Sequence, residues 1–367
     1  MAWGPPASPD RPDFPGKEGG LTRDRRDRTP TPHHLITRME MIPLNSEMLT
    51  SAAGPDIFAK LDFMTTELPA MKYRSLLTLL VVCCFAPGLM GADNDVFDSN
   101  GVKIHYVTAG AGEAVILIHG WMADSSMWGR RDQAGNTKLN ASGAAGFRLI
   151  ALDCRGHGKS DKPHEREKYG LEMAADVVRL LEHLKIEKAH LVGYSSGAFI
   201  AGKIAAIHPD RVLSLIFAGQ APLVAEARSL GSDEVEVFAK AVDEGSDLGA
   251  YIIAVTPPGR PKPTEEWARK LAKLMFYGKD VKALAAAGRS FEDLEVTGEQ
   301  LKACPAPILF IHGGNETDYV KNRVAAVRAV LGRGELRIIE GTDHITTLAK
   351  PEFASAVMEF LRFGKLN

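Results

Sequence analysis

The sequence HLVGYSSG, residues 190–197, is an apolar strand pattern that runs directly into a serine flanked by glycines. Small and apolar residues follow it with helical spacing as far as residue 207. In the pattern Gly-x-Ser-x-Gly the serine occupies a tight strand-to-helix turn, because the glycines let the two backbones approach each other closely. The stretch therefore predicts Ser195 at the carboxyl end of a buried strand, with the amino end of a helix directed at it.

Strand patterns recur on both sides of this turn and alternate with helical patterns. Most of them are continuous apolar runs, which are typical of strands covered on both faces of a sheet. Repeated alternation predicts right-handed crossovers and an α/β fold whose mostly parallel sheet is flanked by helices. The strand patterns lie at residues 102–107, 114–118, 147–152, 190–192, 212–218, 307–311 and 336–339, and the helical ones at 171–184, 198–207, 320–331 and 351–361.

The connection between the strand patterns at 212–218 and 307–311 is nearly ninety residues long. A connection of that length must carry structure of its own, and its composition is helical, with Thr264 as a candidate N-cap. We interpret residues 221–304 as a helical cap inserted above the sheet. The core of the α/β fold then comprises residues 93–220 and 305–367.

The composition narrows the possible functions. The chain has 44 Lys and Arg against 46 Asp and Glu residues, and 45% of its residues are hydrophobic. This balance gives no electrostatic reason to expect a nucleic acid or an anionic membrane as partner, because both require a concentrated excess of Lys and Arg. Only four cysteines occur, two of them adjacent at Cys83 and Cys84, so neither a disulfide framework nor a paired-cysteine zinc site is expected.

The amino-terminal residues 1–70 hold 10 of the 21 prolines and show little hydrophobic periodicity. They predict a disordered extension, or upstream sequence outside the true protein. Met71 is followed by two positive charges, an apolar run at 76–86 and small residues near Ala92, which is the layout of a secretory signal peptide over residues 71–92. The run is too short to span a bilayer, so we expect a secreted or periplasmic protein without a stable membrane anchor.

A serine hydroxyl is a weak nucleophile that needs a base, and the base needs an orienting acid. His344 lies in a loop directly after the strand pattern at 336–339, where a side chain can reach over the sheet edge. The loop after the strand pattern at 307–311 carries two carboxylates, Glu316 and Asp318, and either can accept a hydrogen bond from the imidazole. The sequence pattern does not decide which of the two carboxylates is the acid.

A tetrahedral intermediate also needs hydrogen-bond donors for its negative charge. The loop at 120–122 follows a central strand pattern, so the backbone N–H groups of Trp121 and Ser196 are candidate oxyanion donors. The Trp121 ring has a simpler interpretation as a wall of the pocket. His119, at the end of the same strand pattern, is interpreted as structural.

Together these residues resemble the serine hydrolases of the α/β-hydrolase fold, over about residues 102–361. The resemblance rests on HGW at 119–121, DCRGHGKS at 153–160, the turn at Ser195, the acid loop and GTDH at 341–344. It implies an eight-stranded sheet with an inserted helical cap, Ser195 as nucleophile, His344 as base, and no metal or organic cofactor. Register within the family favours Glu316 as the acid, whereas a loop longer by two residues would favour Asp318.

The expected function is therefore an exported serine hydrolase that cleaves an ester, or a related acyl bond of a small molecule, through an acyl-enzyme. The same residues also serve hydrolysis of thioesters, amides or carbon–carbon bonds, acyl transfer and perhydrolysis. A different class of function is the binding and sensing of a small ligand. A nucleophilic aspartate would have indicated an epoxide hydrolase or dehalogenase, and Ser195 argues against both.

The signal-peptide prediction is tested by expressing the chain from Met71 in an export-competent bacterium. We expect cleavage near Ala92, so amino-terminal sequencing should begin near Asp93. Purified protein that retains residues 72–90 would contradict the prediction.

Overall fold

Eight strands form one sheet in the computed structural model, which describes residues 93–129, 146–227, 233–256 and 261–366. The predictions for residues 1–70 and 71–92 lie outside these ranges. Along the sheet the strand order is β1-β2-β4-β3-β5-β6-β7-β8. The strands are β1 (Asp93–Ser99), β2 (Val102–Gly110), β3 (Gly112–Ile118), β4 (Gly146–Leu152), β5 (Ala189–Tyr194), β6 (Val212–Ala218), β7 (Ile308–Gly313) and β8 (Glu335–Ile339).

The strands β3 to β8 are all parallel, and β2 joins them through an antiparallel pairing with β4. β1 pairs antiparallel with β2, so among the described strands β2 alone runs opposite to the other seven. The prediction of a mostly parallel sheet is therefore confirmed. Because parallel strands end at the same edge, the loops after β3, β5, β7 and β8 meet there, and these loops carry the candidate residues.

Helices cover both faces of the sheet, and this explains why the sequence of β3 is continuously apolar. Ile116 and Ile118 pack into one hydrophobic cluster, and Val115 and Leu117 pack into another on the opposite face. The helices among the described residues are α1 (Leu171–His183), α2 (Ser196–Ile207), α3 (Glu234–Asp243), α4 (Gly249–Ala254), α5 (Glu265–Met275), α6 (Val281–Arg289), α7 (Gly298–Ala303), α8 (Asp318–Leu331) and α9 (Pro351–Phe363).

The long connection between β6 and β7 is helical, as predicted, and contains α3 to α7. Phe238, Tyr251, Phe276 and Leu284 are buried in an apolar cluster formed within this connection. Thr264 caps α5 by accepting a hydrogen bond from the Trp267 backbone N–H at 3.3 Å. No helix in the described part of the chain is both long and apolar enough to cross a membrane.

A buried ion pair holds the segment after β4 against α1. The Arg155 guanidinium donates to both carboxylate oxygens of Asp176, at 2.6 and 2.7 Å, and the Ser99 hydroxyl donates to the same carboxylate. Both charged side chains are only 1% exposed. Each charge is thus compensated mainly by the other, and removal of Asp176 leaves the buried Arg155 with only a longer pair to the partly exposed Glu172 at 3.5 Å.

We expect Asp176→Ala to lower the free energy of unfolding by about 3 kcal/mol, because the buried Arg155 would lose its two short bonds to a buried carboxylate and keep only the longer pair with Glu172. Urea unfolding of the purified protein measures the loss. The control is Glu265→Ala, which breaks an exposed pair with Arg269 and should cost less than about 0.5 kcal/mol. Equal losses of unfolding free energy in the two variants would contradict the assignment of Asp176 as the stabilising partner of Arg155.

Candidate active site

The Ser195 backbone adopts φ 55° and ψ −121°, a conformation that residues with a side chain rarely occupy. A Cβ atom on Gly193 would lie 2.3 Å from the Gly197 carbonyl oxygen, and one on Gly197 would lie 2.2 Å from the Ile118 carbonyl oxygen. Both glycines are therefore required sterically, as the motif predicted. The turn presents the Ser195 hydroxyl at the carboxyl edge of the sheet, directly before α2.

A hydrogen-bonded series joins Ser195, His344 and Glu316. His344 Nε2 lies 3.0 Å from Ser195 Oγ, and His344 Nδ1 lies 3.0 Å from Glu316 Oε2. An ionised carboxylate only accepts, so Nδ1 carries the proton and Nε2 is left to accept from the serine hydroxyl. The imidazole is thus oriented as a general base for the hydroxyl.

The two candidate acids differ in position. Glu316 is only 4% exposed, in the loop between β7 and α8, and its carboxylate faces His344. Asp318 is exposed in the first turn of α8, where the Thr317 side chain caps the helix by accepting from the Val320 backbone N–H. The structure therefore brings Glu316, and not Asp318, to the imidazole.

The loops that carry Glu316 and His344 are bonded to each other. The Gly314 backbone N–H donates to the Ile339 carbonyl at 3.0 Å, and that of Asn315 donates to the Thr342 carbonyl at 2.8 Å. These two backbone hydrogen bonds hold the loops together and so fix the distance between the Glu316 carboxylate and the His344 imidazole.

Tyr194 is a supporting residue that the sequence analysis did not single out. Its hydroxyl donates to the His344 carbonyl oxygen at 2.6 Å, and its ring centroid lies 5.6 Å from that of the imidazole. Tyr194 occupies the variable position before the serine in the motif, so the motif itself places its side chain near the site. The sequence signal for this contact with His344 was the presence of an aromatic residue directly before the serine.

The pKa of His344 is raised above its ordinary value of 6.5. Burial by itself lowers this pKa, because it disfavours the imidazolium. The hydrogen bond and negative charge of Glu316 outweigh burial, with smaller contributions from the charges of Glu234 and Asp343. The environment is therefore suited to stabilise a proton arriving on His344.

Trp121 and Ser196 lie beside the serine. A Cβ atom on Gly120 would lie 3.0 Å from the Ser195 Cβ, so the backbone preceding Trp121 is in contact with the serine. Ser196 begins α2, and the N–H groups of a first helical turn have no acceptor within the helix. Their role as oxyanion donors stays a prediction.

The Trp121 side chain contacts the helical connection. Its Nε1–H donates to the Leu284 carbonyl at 2.9 Å, and its ring makes edge contacts with Phe238 and Phe291. The indole thus joins the loop after β3 to the helical connection between β6 and β7.

His119 has a structural environment, as interpreted from the sequence. Its Nδ1–H donates to the Gly120 carbonyl at 2.8 Å, and its Nε2 accepts from the Cys154 backbone N–H at 2.9 Å. Both ring nitrogens are occupied in the loop framework. Within the described ranges, no group of three or more His, Cys, Asp or Glu side chains is arranged to hold a metal ion.

A family model described as the alpha/beta hydrolase fold matches residues 113–245, which include the turn at Ser195. An epoxide hydrolase of Caballeronia sordidicola is 29% identical over 270 residues, covering 73% of this chain and 76% of that protein. An epoxide hydrolase 3 of Siraitia grosvenorii is 35% identical over 120 residues, and this match spans only 36% of that protein.

Solved structures show the same fold. A structure described under carboxylesterases of Nitrososphaera gargenis aligns with a TM-score of 0.58 at 22% identity, covering 74% of this chain and 98% of that one. A bromoperoxidase from Bacillus anthracis aligns with a TM-score of 0.59 at 22% identity, covering 74% of this chain and all of that one (100%). At this identity the likeness concerns the fold alone.

The direction of the His344 pKa shift is measurable by NMR titration of its imidazole. We expect the pKa to lie above 6.5 in the wild type and to fall in Glu316→Gln, because burial then acts without the opposing carboxylate. The matched control is Asp318→Asn, which should leave the pKa unchanged. A fall of similar size in both variants would contradict the pairing of Glu316 with His344.

Proposed function

Because the chain belongs to the α/β-hydrolase-fold family, we propose that it is a serine hydrolase that cleaves an ester, or a related acyl bond of a small molecule, through an acyl-enzyme. The observation that carries the proposal is the hydrogen-bonded series from Ser195 through His344 to Glu316. This series combines a nucleophile, a base and an orienting acid at the carboxyl edge of the sheet.

In the first step Ser195 Oγ bonds to the acyl carbon while its proton passes to His344 Nε2. The carbonyl oxygen becomes negative, and the backbone N–H groups of Trp121 and Ser196 are its donors in this mechanism. The carbon–oxygen bond of the leaving alcohol then breaks, and His344 returns its proton to that oxygen. The product of this step is an acyl group on Ser195 and a free alcohol.

In the second step water attacks the acyl carbon and gives its proton to His344. The bond to Ser195 Oγ breaks, and the proton returns to the serine as the acid product leaves. The Glu316 carboxylate accepts the hydrogen bond from Nδ1–H throughout, and its negative charge stabilises the imidazolium that forms twice in each cycle. The raised pKa of His344 in the resting enzyme has the same cause, namely the hydrogen bond and negative charge of Glu316.

Epoxide hydrolysis is a second candidate, favoured by the names of the two relatives described above. Ser195 occupies the nucleophile position here, and a serine hydroxyl activated by a histidine is suited to acyl transfer. We therefore place ester hydrolysis first and use an epoxide as a comparison substrate. Thioester, amide or carbon–carbon hydrolysis, acyl transfer, perhydrolysis and ligand sensing use the same residues and stay alternatives.

We also propose export to the periplasm or the medium, on the pattern of residues 71–92 described above. An exported hydrolase meets its small-molecule substrate outside the cytoplasm. The amino-terminal sequencing experiment tests this independently of activity.

The activated serine is tested by intact-mass spectrometry after incubation with a fluorophosphonate. We expect one adduct on the wild type and none on Ser195→Ala, because only an activated hydroxyl displaces fluoride from phosphorus. Ser195→Ala should also abolish turnover of 4-nitrophenyl acetate. A folded wild type that forms no adduct would favour ligand sensing, and turnover of styrene oxide that survives in Ser195→Ala would favour epoxide chemistry at another residue.

The choice of acid is tested by turnover in the same two variants that were used for the pKa. We expect Glu316→Gln to lose about 10²–10⁴-fold in kcat, since triads depend strongly on the acid that orients the histidine. Asp318→Asn should lie within about threefold of the wild type, because an exposed carboxylate in a helix contributes little. Equal and mild losses would mean that neither carboxylate is the acid.

A further inference from the structure

The loop after β3 closes into a tight turn beside the serine. The Ala123 backbone N–H donates to the Gly120 carbonyl at 3.1 Å, so Trp121 and Met122 are the two central residues of the turn. Met122 adopts φ 64°, a left-handed conformation that a residue with a side chain keeps only where its surroundings hold it. The contacts around this turn therefore help to decide where the Trp121 N–H, the proposed oxyanion donor, lies.

Lys279 contacts this turn from the segment between α5 and α6. Its Nζ atom donates a hydrogen bond to the Met122 carbonyl oxygen, across 157 positions of the chain. The neighbouring carboxylate, Asp280, pairs instead with His164 at 2.9 Å, and no ion pair found within the described ranges includes Lys279. The ammonium group is thus directed at the backbone of the turn and not at a carboxylate.

The backbone of Lys279 is itself held in place. Its N–H donates to the Phe276 carbonyl at 3.0 Å, directly after the end of α5. Asp280, the next residue, caps α6 by accepting from the Ala283 backbone N–H at 3.1 Å. The side chain of Lys279 is half-buried. Since both neighbouring helices anchor the segment, the ammonium can hold the Met122 carbonyl in one position.

Two other contacts join the helical connection to the same turn. The Trp121 indole donates to the Leu284 carbonyl at 2.9 Å, and the Tyr251 hydroxyl lies 3.8 Å from Met122 Sδ. Of the three contacts, the one from Lys279 is made to the backbone of the turn, whereas the other two are made to side chains. Lys279 is therefore the contact best placed to fix the peptide groups beside Ser195.

The positive charge of Lys279 also acts on this loop. Burial lowers the pKa of His119, which directly precedes the turn, and the charge of Lys279 adds a smaller effect of the same sign. A cation on this side of the site favours negative charge that develops on a substrate oxygen nearby.

We propose that Lys279 is a positioning residue that holds the oxyanion-binding N–H of Trp121 in place through the Met122 carbonyl. The helical connection then takes part in completing the catalytic site. This inference rests on the proposed ester hydrolysis and deepens it. Because the oxyanion exists only in the tetrahedral state, Lys279 acts on turnover and hardly on the binding of an uncharged ester.

The first experiment measures hydrolysis of 4-nitrophenyl acetate by Lys279→Met. We expect kcat to fall about tenfold or more while KM changes less than about threefold, since a transition-state interaction is weakened. Lys279→Arg keeps both the charge and a donor, and it should recover most of the lost rate. The matched control is Lys282→Met, which removes the same charge from an exposed residue of α6 and should leave kcat unchanged.

A second substrate separates positioning of the oxyanion donor from general damage. The thiono analogue of 4-nitrophenyl acetate carries sulfur in place of the carbonyl oxygen, and sulfur is a weak hydrogen-bond acceptor. A loss of active molecules lowers kcat/KM equally for both substrates. We expect the ratio of kcat/KM for the oxygen ester to that for the thiono ester to fall about fivefold or more in Lys279→Met, because the oxygen ester depends on the donors.

Thermal unfolding establishes that each variant is folded, and we expect little change for a half-exposed lysine. If Lys279→Met does not fold, Lys279→Gln replaces it, because a polar side chain suits a half-exposed position and is one atom shorter than lysine. The same fall in kcat and in the substrate ratio is expected of Lys279→Gln.

The outcomes separate this inference from the proposed function. Wild-type hydrolysis of the ester, with a substrate ratio that is unchanged in Lys279→Met, would overturn the role of Lys279 alone, and so would an equal fall in Lys282→Met. A wild type that reacts with a fluorophosphonate but hydrolyses no ester, with slower adduct formation in Lys279→Met than in Lys282→Met, would support the role of Lys279 and overturn ester hydrolysis. A folded wild type with neither adduct nor hydrolysis would overturn both.

Discussion

The close approach of β5 and α2 at Ser195 is the constraint on which the site depends. A serine held at φ 55° costs about 1–3 kcal/mol relative to an ordinary conformation, and the surrounding packing maintains it. Gly193 and Gly197 make that packing possible, since the backbone of α2 lies where a side chain of Gly193 would be and the end of β3 lies where one of Gly197 would be. The strained turn directs the hydroxyl out of the sheet edge, and His344 can then reach it from the loop after β8.

A second constraint is electrostatic. Glu316 is buried at the same sheet edge, and its charge is opposed by the imidazole of His344 at 3.0 Å. This pairing raises the pKa of His344 despite burial, so the site favours the protonated state that forms during acyl transfer. Arg323 is the contrasting case, because it is a buried charge whose counter-ion is absent from the described residues.

The helical connection between β6 and β7 is coupled through aromatic contacts to the loop after β3, which lies beside Ser195. Trp121 follows the glycine that touches Ser195, and its ring contacts Phe238 of α3 and Phe291. Through the buried Phe291 and the partly buried Phe199 the same series of ring contacts extends to Arg323. The helical connection is separate from the turn at Ser195 in sequence, which allows the connection to vary while the serine turn is unchanged.

The sequence by itself determined the α/β alternation, the turn at Ser195 and the position of His344, because these depend on local periodicity and on glycines at fixed spacing. Two features were decided only by the tertiary structure. Glu316 and Asp318 are two residues apart and chemically alike, and the choice between them depends on where the loop after β7 ends and α8 begins. Thr317 caps that helix and places Asp318 in solvent, while backbone bonds to the loop after β8 bring Glu316 to the imidazole.

Arg323 is the other such feature. In the sequence it is one polar position within an amphipathic helix, and helical spacing alone predicts neither a charged partner nor its absence. Its burial follows from the packing of α8 beside α2, which brings together residues more than a hundred positions apart, and contacts of that range are not encoded in any local pattern. That packing is the physical reason why a cation without a counter-ion could be recognised only in the folded chain.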